Sequence, residues 1–108
     1  SGTNTICGST IGKDLSVIST GTAAATVVGD TSGVCSAPNT IGRNGKFDRN
    51  SGSLDVSDNT FNRNLLVENN SSVPLIVTNN TIGNTCEQHG NPPGSVFSGN
   101  KAKRNLGC

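Results

Sequence analysis

The chain has 108 residues, a net charge of +1, three Phe, no Trp, Tyr or Met, and an Asn (15), Gly (14), Ser (13) and Thr (12) content that makes up half of it. That length allows one domain with a modest core, and the low charge sets it apart from disordered chains, which combine low hydrophobicity with high net charge. No apolar run reaches membrane-spanning length, and a near-neutral chain without Trp or Tyr for base stacking argues against nucleic acid as a partner.

Residues 1–38 read as the atypical, capping end of the domain. Two phases are open there. Thr10-Ile11-Gly12 matches Thr40-Ile41-Gly42, whereas Leu15-Ser16-Val17 ahead of Thr20 matches Leu54-Asp55-Val56 ahead of Asn59. Ala25-Thr26-Val27-Val28-Gly29-Asp30 resembles Leu65-Leu66-Val67-Glu68-Asn69-Asn70, and Val34 falls in the Leu54 register, so residues 20–38 are expected to form one coil.

From residue 39 onward the chain repeats itself. Asn39-Thr40-Ile41-Gly42-Arg43-Asn44, Asn59-Thr60-Phe61-Asn62-Arg63-Asn64, Asn80-Thr81-Ile82-Gly83-Asn84-Thr85 and Asn100-Lys101-Ala102-Lys103-Arg104-Asn105 follow at intervals of 20, 21 and 20 residues. A second block keeps the same register ahead of them: Leu54-Asp55-Val56, Leu75-Ile76-Val77 and Val96-Phe97. Each unit offers three short apolar stretches separated by Gly, Asn and Ser, too short for helices and suited to strands of three to five residues. About 20 residues per unit predicts one turn of a parallel β-solenoid whose equivalent residues stack at roughly 4.8 Å. Regular coils are expected over 39–99 and a cap over 100–108, in a single domain spanning 1–108.

Stacking gives the composition a purpose. Leu54/Leu75 and Val56/Val77/Phe97 are expected to fill a narrow core. Asn39, Asn59, Asn80 and Asn100 are expected to form a ladder in which each side chain donates to the carboxamide of the next coil, and Asn44, Asn64, Thr85 and Asn105 to repeat the pattern. Ile41, Phe61 and Ile82 point inward beside an outward column of Thr40, Thr60 and Thr81, a column that lacks the paired spacing of an ice-binding array seen at Thr20-Gly21-Thr22.

Cys7, Cys35, Cys86 and Cys108 have no zinc-like spacing, and two disulfides fit better than a metal cage. Pairing Cys7 with Cys35 and Cys86 with Cys108 joins neighbouring coils at each end of the stack; the alternatives span it. Disulfides place the chain in an extracytoplasmic compartment.

The run Leu75-Ile76-Val77-Thr78-Asn79-Asn80-Thr81-Ile82 resembles the repeat of right-handed parallel β-helix proteins of the pectin-lyase-like type. The resemblance implies an all-β, right-handed helix of about four to five coils and, for several members, action on polysaccharides. Their catalytic motifs are missing: the Asn-Thr pairs continue into Ile41, Phe61 and Ile82, no two acids are adjacent, and His89 follows Gln88. No catalytic, metal or cofactor residue carries over.

Three surface features remain as candidates. Arg43 and Arg63, with Arg104 further on, share one register position and are expected to present guanidinium forks to an anion. Asp48 and Glu68 share another and, with Asp58, form the weak calcium alternative. Ile76 and Val96 occupy the outward position held by Cys35 and Asp55 in earlier coils, and are expected to offer a flat face for self-association. His89 is expected in a loop that replaces the middle strand of its coil. The expected role is that of a secreted, non-enzymatic structural or interaction module; the alternative is a polysaccharide-binding module or a minimal lyase or hydrolase.

Overall fold

A computed structural model describes residues 2–21 and 24–108. The chain is a parallel β-solenoid of about five turns with no helix among those residues. Its strands are β1 (Gly2–Ile6), β2 (Thr10–Ile11), β3 (Leu15–Ile18), β4 (Ala24–Val28), β5 (Thr40–Ile41), β6 (Gly45–Asp48), β7 (Leu54–Ser57), β8 (Thr60–Phe61), β9 (Leu65–Glu68), β10 (Leu75–Thr78), β11 (Thr81–His89), β12 (Val96–Ser98) and β13 (Lys101–Leu106). β1, β4, β7, β10 and β12 form one parallel sheet. The other strands stack as two further faces, and β11 runs round the corner that joins them.

The expected inward columns form the core. Val28, Val56 and Val77 stack with Phe97 on the first sheet, Ile41, Phe61 and Ile82 on the second face, and Phe47 and Val67 on the third. Gly45 takes an inward position between Leu15 and Leu65, and the Phe61 ring fills the space that it leaves.

In the first two coils one of the two open phases holds and two other expectations do not. Thr10-Ile11 pairs with Thr40-Ile41, and Leu15-Ser16-Val17 pairs with Gly45-Lys46-Phe47 on the third face rather than standing like Leu54-Asp55-Val56. Thr26-Val27-Val28 pairs with Leu54-Asp55-Val56, so this segment belongs to the first sheet and not to the register of Leu65-Leu66-Val67. The cause is a loop after Gly29, anchored where Gly33 and Cys35 donate to the Asp30 carbonyl, which stretches the Ser9-to-Asn39 repeat to 30 residues. Val34 and Cys35 lie on this loop, so neither holds the strand position that a 20-residue count gives them, and Val34 is exposed.

Cys7 is bonded to Cys35 and Cys86 to Cys108, one bridge at each end. Residues 101–106 form a fifth-turn strand, and the chain then doubles back through an antiparallel bridge between Glu87 and Gly107.

Three amide ladders run along the turns, two of them with buried rungs and the third nearer the surface. In the first, Asn39 Nδ2 donates to Asn59 Oδ1 (3.0 Å), Asn59 to Asn80 (3.0 Å) and Asn80 to Asn100 (2.9 Å). The second proton of each goes to a core carbonyl: Ile6, Val28, Val56 and Val77 in turn. The second ladder, unseen in the sequence, links Asn50 to Asn70 and Asn70 to Asn91, both at 3.0 Å. In these two ladders the residue before every rung after Asn39 turns the chain through the left-handed region, as at Arg49 and Asp58, and Gly90 and Gly99 meet that need without a Cβ penalty.

The third ladder corrects the expected column. Asn64 donates to Asn44, Asn84 donates to Asn64, and Asn44 ends the series on the Asp14 carboxylate, so donation runs opposite to the other two. Thr85 joins through its backbone N–H alone. A bulge between Ile82 and Thr85 sets Arg104 beside Thr85, while Asn105 stands beside Cys86 and donates to the Cys108 carbonyl.

A rung closes bonds on both sides, so its removal leaves buried amides unpaired. Asn59→Ala and Asn80→Ala are each expected to cost about 1–3 kcal/mol, against less than about 0.5 kcal/mol for Asn62→Ala at an exposed position. Asn91 is not a surface control, because its carboxamide accepts from Asn70 and donates to the Val67 carbonyl. Chemical denaturation midpoints measure the difference, and equal midpoints for Asn59→Ala and Asn62→Ala would leave the ladder without energetic weight.

Candidate functional site

The corner between the second and third faces carries a basic ridge. Arg43 donates its backbone N–H to Lys13 O (3.0 Å), Arg63 to Arg43 O (3.0 Å) and Asn84 to Arg63 O (2.7 Å), which puts Lys13, Arg43 and Arg63 in register on three successive coils. Their side chains are exposed and make no ion pair among the described residues. Lys13 enters the column unforeseen, because the inserted loop puts it 30 residues from Arg43. Arg104 leaves it, because of the bulge. Thr10, Thr40, Thr60 and Thr81 line the adjoining second face in register. The pair spacing at Thr20-Gly21-Thr22 extends outside the described residues.

The third face holds most of the ion pairs. Asp48, Glu68 and His89 stand in register. His89 Nε2 lies 3.3 Å from Glu68 and 3.6 Å from Glu87, Lys46 Nζ lies 3.9 Å from Glu68, and Arg49 pairs with Asp48 at 3.3 Å. His89 ends strand β11, so the segment Glu87-Gln88-His89 is the third strand of its coil and the loop begins only at Gly90. Asp58 lies apart from Asp48 and Glu68. It sits at the turn after β7 and accepts from the Thr31 N–H (3.0 Å) and hydroxyl (2.9 Å). The calcium triad therefore does not assemble, and no group of three metal-ligating side chains converges among the described residues.

The outward column of the first sheet is Val27, Asp55, Ile76 and Val96. It is not a plain apolar strip. Val27, Val34, Pro74 and Ile76 line a groove of about 250 Å³ that also holds Asp30 and Asp55, and Val96 is exposed beside it. Asp55 is raised above the ordinary carboxylate range, first by burial and then by the neighbouring Asp30 and Asp58, against the lowering effect of a hydrogen bond from Ser57. The sign for stability follows. Folded Asp55 holds its proton more tightly than unfolded Asp55, so its favourable contribution is complete at acid pH and is lost as pH rises through the raised value. Asp55→Asn is accordingly expected to raise the unfolding free energy at pH 7, and with it the thermal midpoint, by no more than about 0.5 kcal/mol of free energy since solvent screens a half-exposed group. The gain should vanish near pH 3; a midpoint lowered at pH 7 would contradict it.

A second groove, of about 460 Å³, opens where the C-terminal return crosses β9 and β11. Leu65, Leu66 and Leu106 form its apolar wall, with Arg104 and Glu87 as its charged groups. No sequence pattern marks it, since it depends on the bulge and on the return held by Cys86–Cys108.

Chemically, the surface offers a cation ridge, an acid-lined apolar groove and a His–carboxylate cluster. Comparison with family models, with curated proteins and with solved structures finds no match to this chain. No helix among the described residues is long and apolar enough to cross a membrane, and the two disulfides are compatible with an extracytoplasmic protein.

Proposed function

We propose that the chain is a secreted, non-enzymatic β-solenoid that serves as a structural or interaction module of a cell envelope or extracellular assembly. The observation that carries this reading is where the polar residues go. Asn39, Asn59, Asn80, Asn50 and Asn70 are buried rungs, and a disulfide clamps each end, so the sequence builds a short, internally braced stack with in-register outer columns. Parallel crossover connections favour a right-handed path, in keeping with the pectin-lyase-like resemblance of the repeat.

The second reading, a polysaccharide-binding module or minimal lyase or hydrolase, draws on the Lys13–Arg43–Arg63 ridge beside the threonine column. Such a ridge suits a linear chain bearing carboxylates or sulfates, and its strength would fall steeply with salt. A glycan array combined with a reducing-end assay on acidic polysaccharides separates the two. The module reading expects no turnover, while reproducible release of reducing ends would replace it with the enzymatic one.

A further inference from the structure

Among the described residues, two charged surfaces of opposite sign make no ion pair. The basic ridge lies at the corner between the second and third faces, and the acidic groove lies on the first sheet, across the triangular coil from that corner. Asp30 and Asp55 line the groove and Asp58 lies near enough to act on the Asp55 charge, and none of the three pairs with a cation among the described residues. Apolar residues Val34, Pro74 and Ile76 surround the carboxylates. Both surfaces run along the solenoid axis, the ridge over three coils and the acids over two.

A two-fold contact through Ile76 and Val96 would press the Asp30, Asp55 and Asp58 sets of two copies together, and like charges brought face to face are repelled. A contact of unlike surfaces has the opposite sign. We infer that the acidic groove of the first sheet receives the Lys13–Arg43–Arg63 ridge of a second copy of this chain, side by side with it. Aliphatic stems of Lys and Arg lie well against Val34 and Ile76 while their heads reach the carboxylates. The crowding of acids that disfavours ionised Asp55 in the lone molecule is relieved when a guanidinium arrives. Because the two patches differ and sit on opposite sides, the contact is heterologous and each copy keeps one free surface of each kind, so association propagates laterally rather than closing as a dimer. This inference rests on the module reading and names the partner.

Sedimentation velocity over a concentration series tests it with three proteins: wild type, the ridge variant Lys13→Ser/Arg43→Ser/Arg63→Ser, and the groove variant Asp55→Asn/Asp58→Asn. The ridge residues are exposed, and Asn at position 58 retains an acceptor for Thr31, so both variants keep the fold's bonds. In about 20 mM salt the wild type should shift to ever larger species with concentration, and in about 500 mM salt the association should weaken tenfold or more. Each variant alone should stay monomeric. A mixture of the two should form a 1:1 complex and no more, since one native ridge and one native groove remain between them. A wild type that stays monomeric in low salt overturns the inference, as does a ridge variant that assembles like the wild type, which would assign the contact to the Ile76/Val96 face of like copies. The glycan and reducing-end assays do not depend on self-contact, so the failure of this inference and of the module reading are read separately.

Discussion

Phe61→Ala is expected to lower the unfolding free energy by about 3–5 kcal/mol, the usual cost of emptying a buried aromatic site. Phe61 is completely buried, meets Phe47 edge to face at a centroid distance of 6.4 Å, and fills the volume that Gly45 leaves in the next column. A stack of two-residue strands cannot collapse around the hole, since Thr60 and Phe61 are fixed by backbone bonds to the coils on either side. Domains of this size are stable by roughly 5–15 kcal/mol in all, so the variant should approach the limit of folding. The reciprocal change is as informative. A Cβ at Gly45 would overlap the Phe61 ring, so Gly45→Val should cost about 1–3 kcal/mol by overpacking. Gly45→Ala combined with Phe61→Leu should cost less than the sum of the two single changes. Denaturant midpoints at constant m-value decide this, and strict additivity would mean that the two sites do not share one volume.

The second large effect concerns the clamps. Each disulfide closes a loop, with separations of 28 residues for Cys7–Cys35 and 22 for Cys86–Cys108. In the chain-entropy model, loops of that length are worth roughly 3–4 kcal/mol apiece. The two removals should differ in kind. Cys7→Ser/Cys35→Ser releases the loop that lies over Val27, whereas Cys86→Ser/Cys108→Ser frees the return through Gly107 and opens the groove lined by Leu66 and Leu106. Hydrogen exchange should then rise at Gly33 in the first variant and at Gly107 in the second. Loss of both bridges should leave little folded protein. Non-reducing peptide maps linking Cys7 to Cys86 or to Cys108 would contradict the coil order itself.

What the sequence showed and what it hid have a common physical origin. Where coils are uninterrupted, one residue type recurs in one position, and Asn39, Asn59, Asn80 and Asn100 could be read as a ladder because their flanking Thr and Ile recur with them. Leu54/Leu75 and Val56/Val77/Phe97 were legible for the same reason. The rungs Asn50, Asn70 and Asn91 recur at the same period, yet their neighbours change from Arg49 and Ser51 to Asn69 and Ser71 to Gly90 and Pro92, so no shared block marked them. Counting fails wherever the chain gains residues. The loop holding Val34 and Cys35 displaced the reading of the first two coils, and a bulge in β11 moved Arg104 and Asn105 by one position. A slip of one residue reverses the face of a strand, so surface columns are read less safely than inward ones. The opposition of the acidic groove and the basic ridge depends on the first of these, since Lys13 joins the ridge only in the observed register.

The central claim, in-register stacking of coils on internal amide ladders, is tested most directly by NMR of the side-chain carboxamides. The account predicts nuclear Overhauser contacts between the Nδ2 protons of successive rungs in Asn39–Asn59–Asn80–Asn100 and in Asn50–Asn70–Asn91, slow exchange of those protons, and backbone contacts of Ile11 with Ile41. Rapidly exchanging carboxamides at Asn59 and Asn80, or contacts that set Val34 beside Leu54 in place of Thr26, would contradict it.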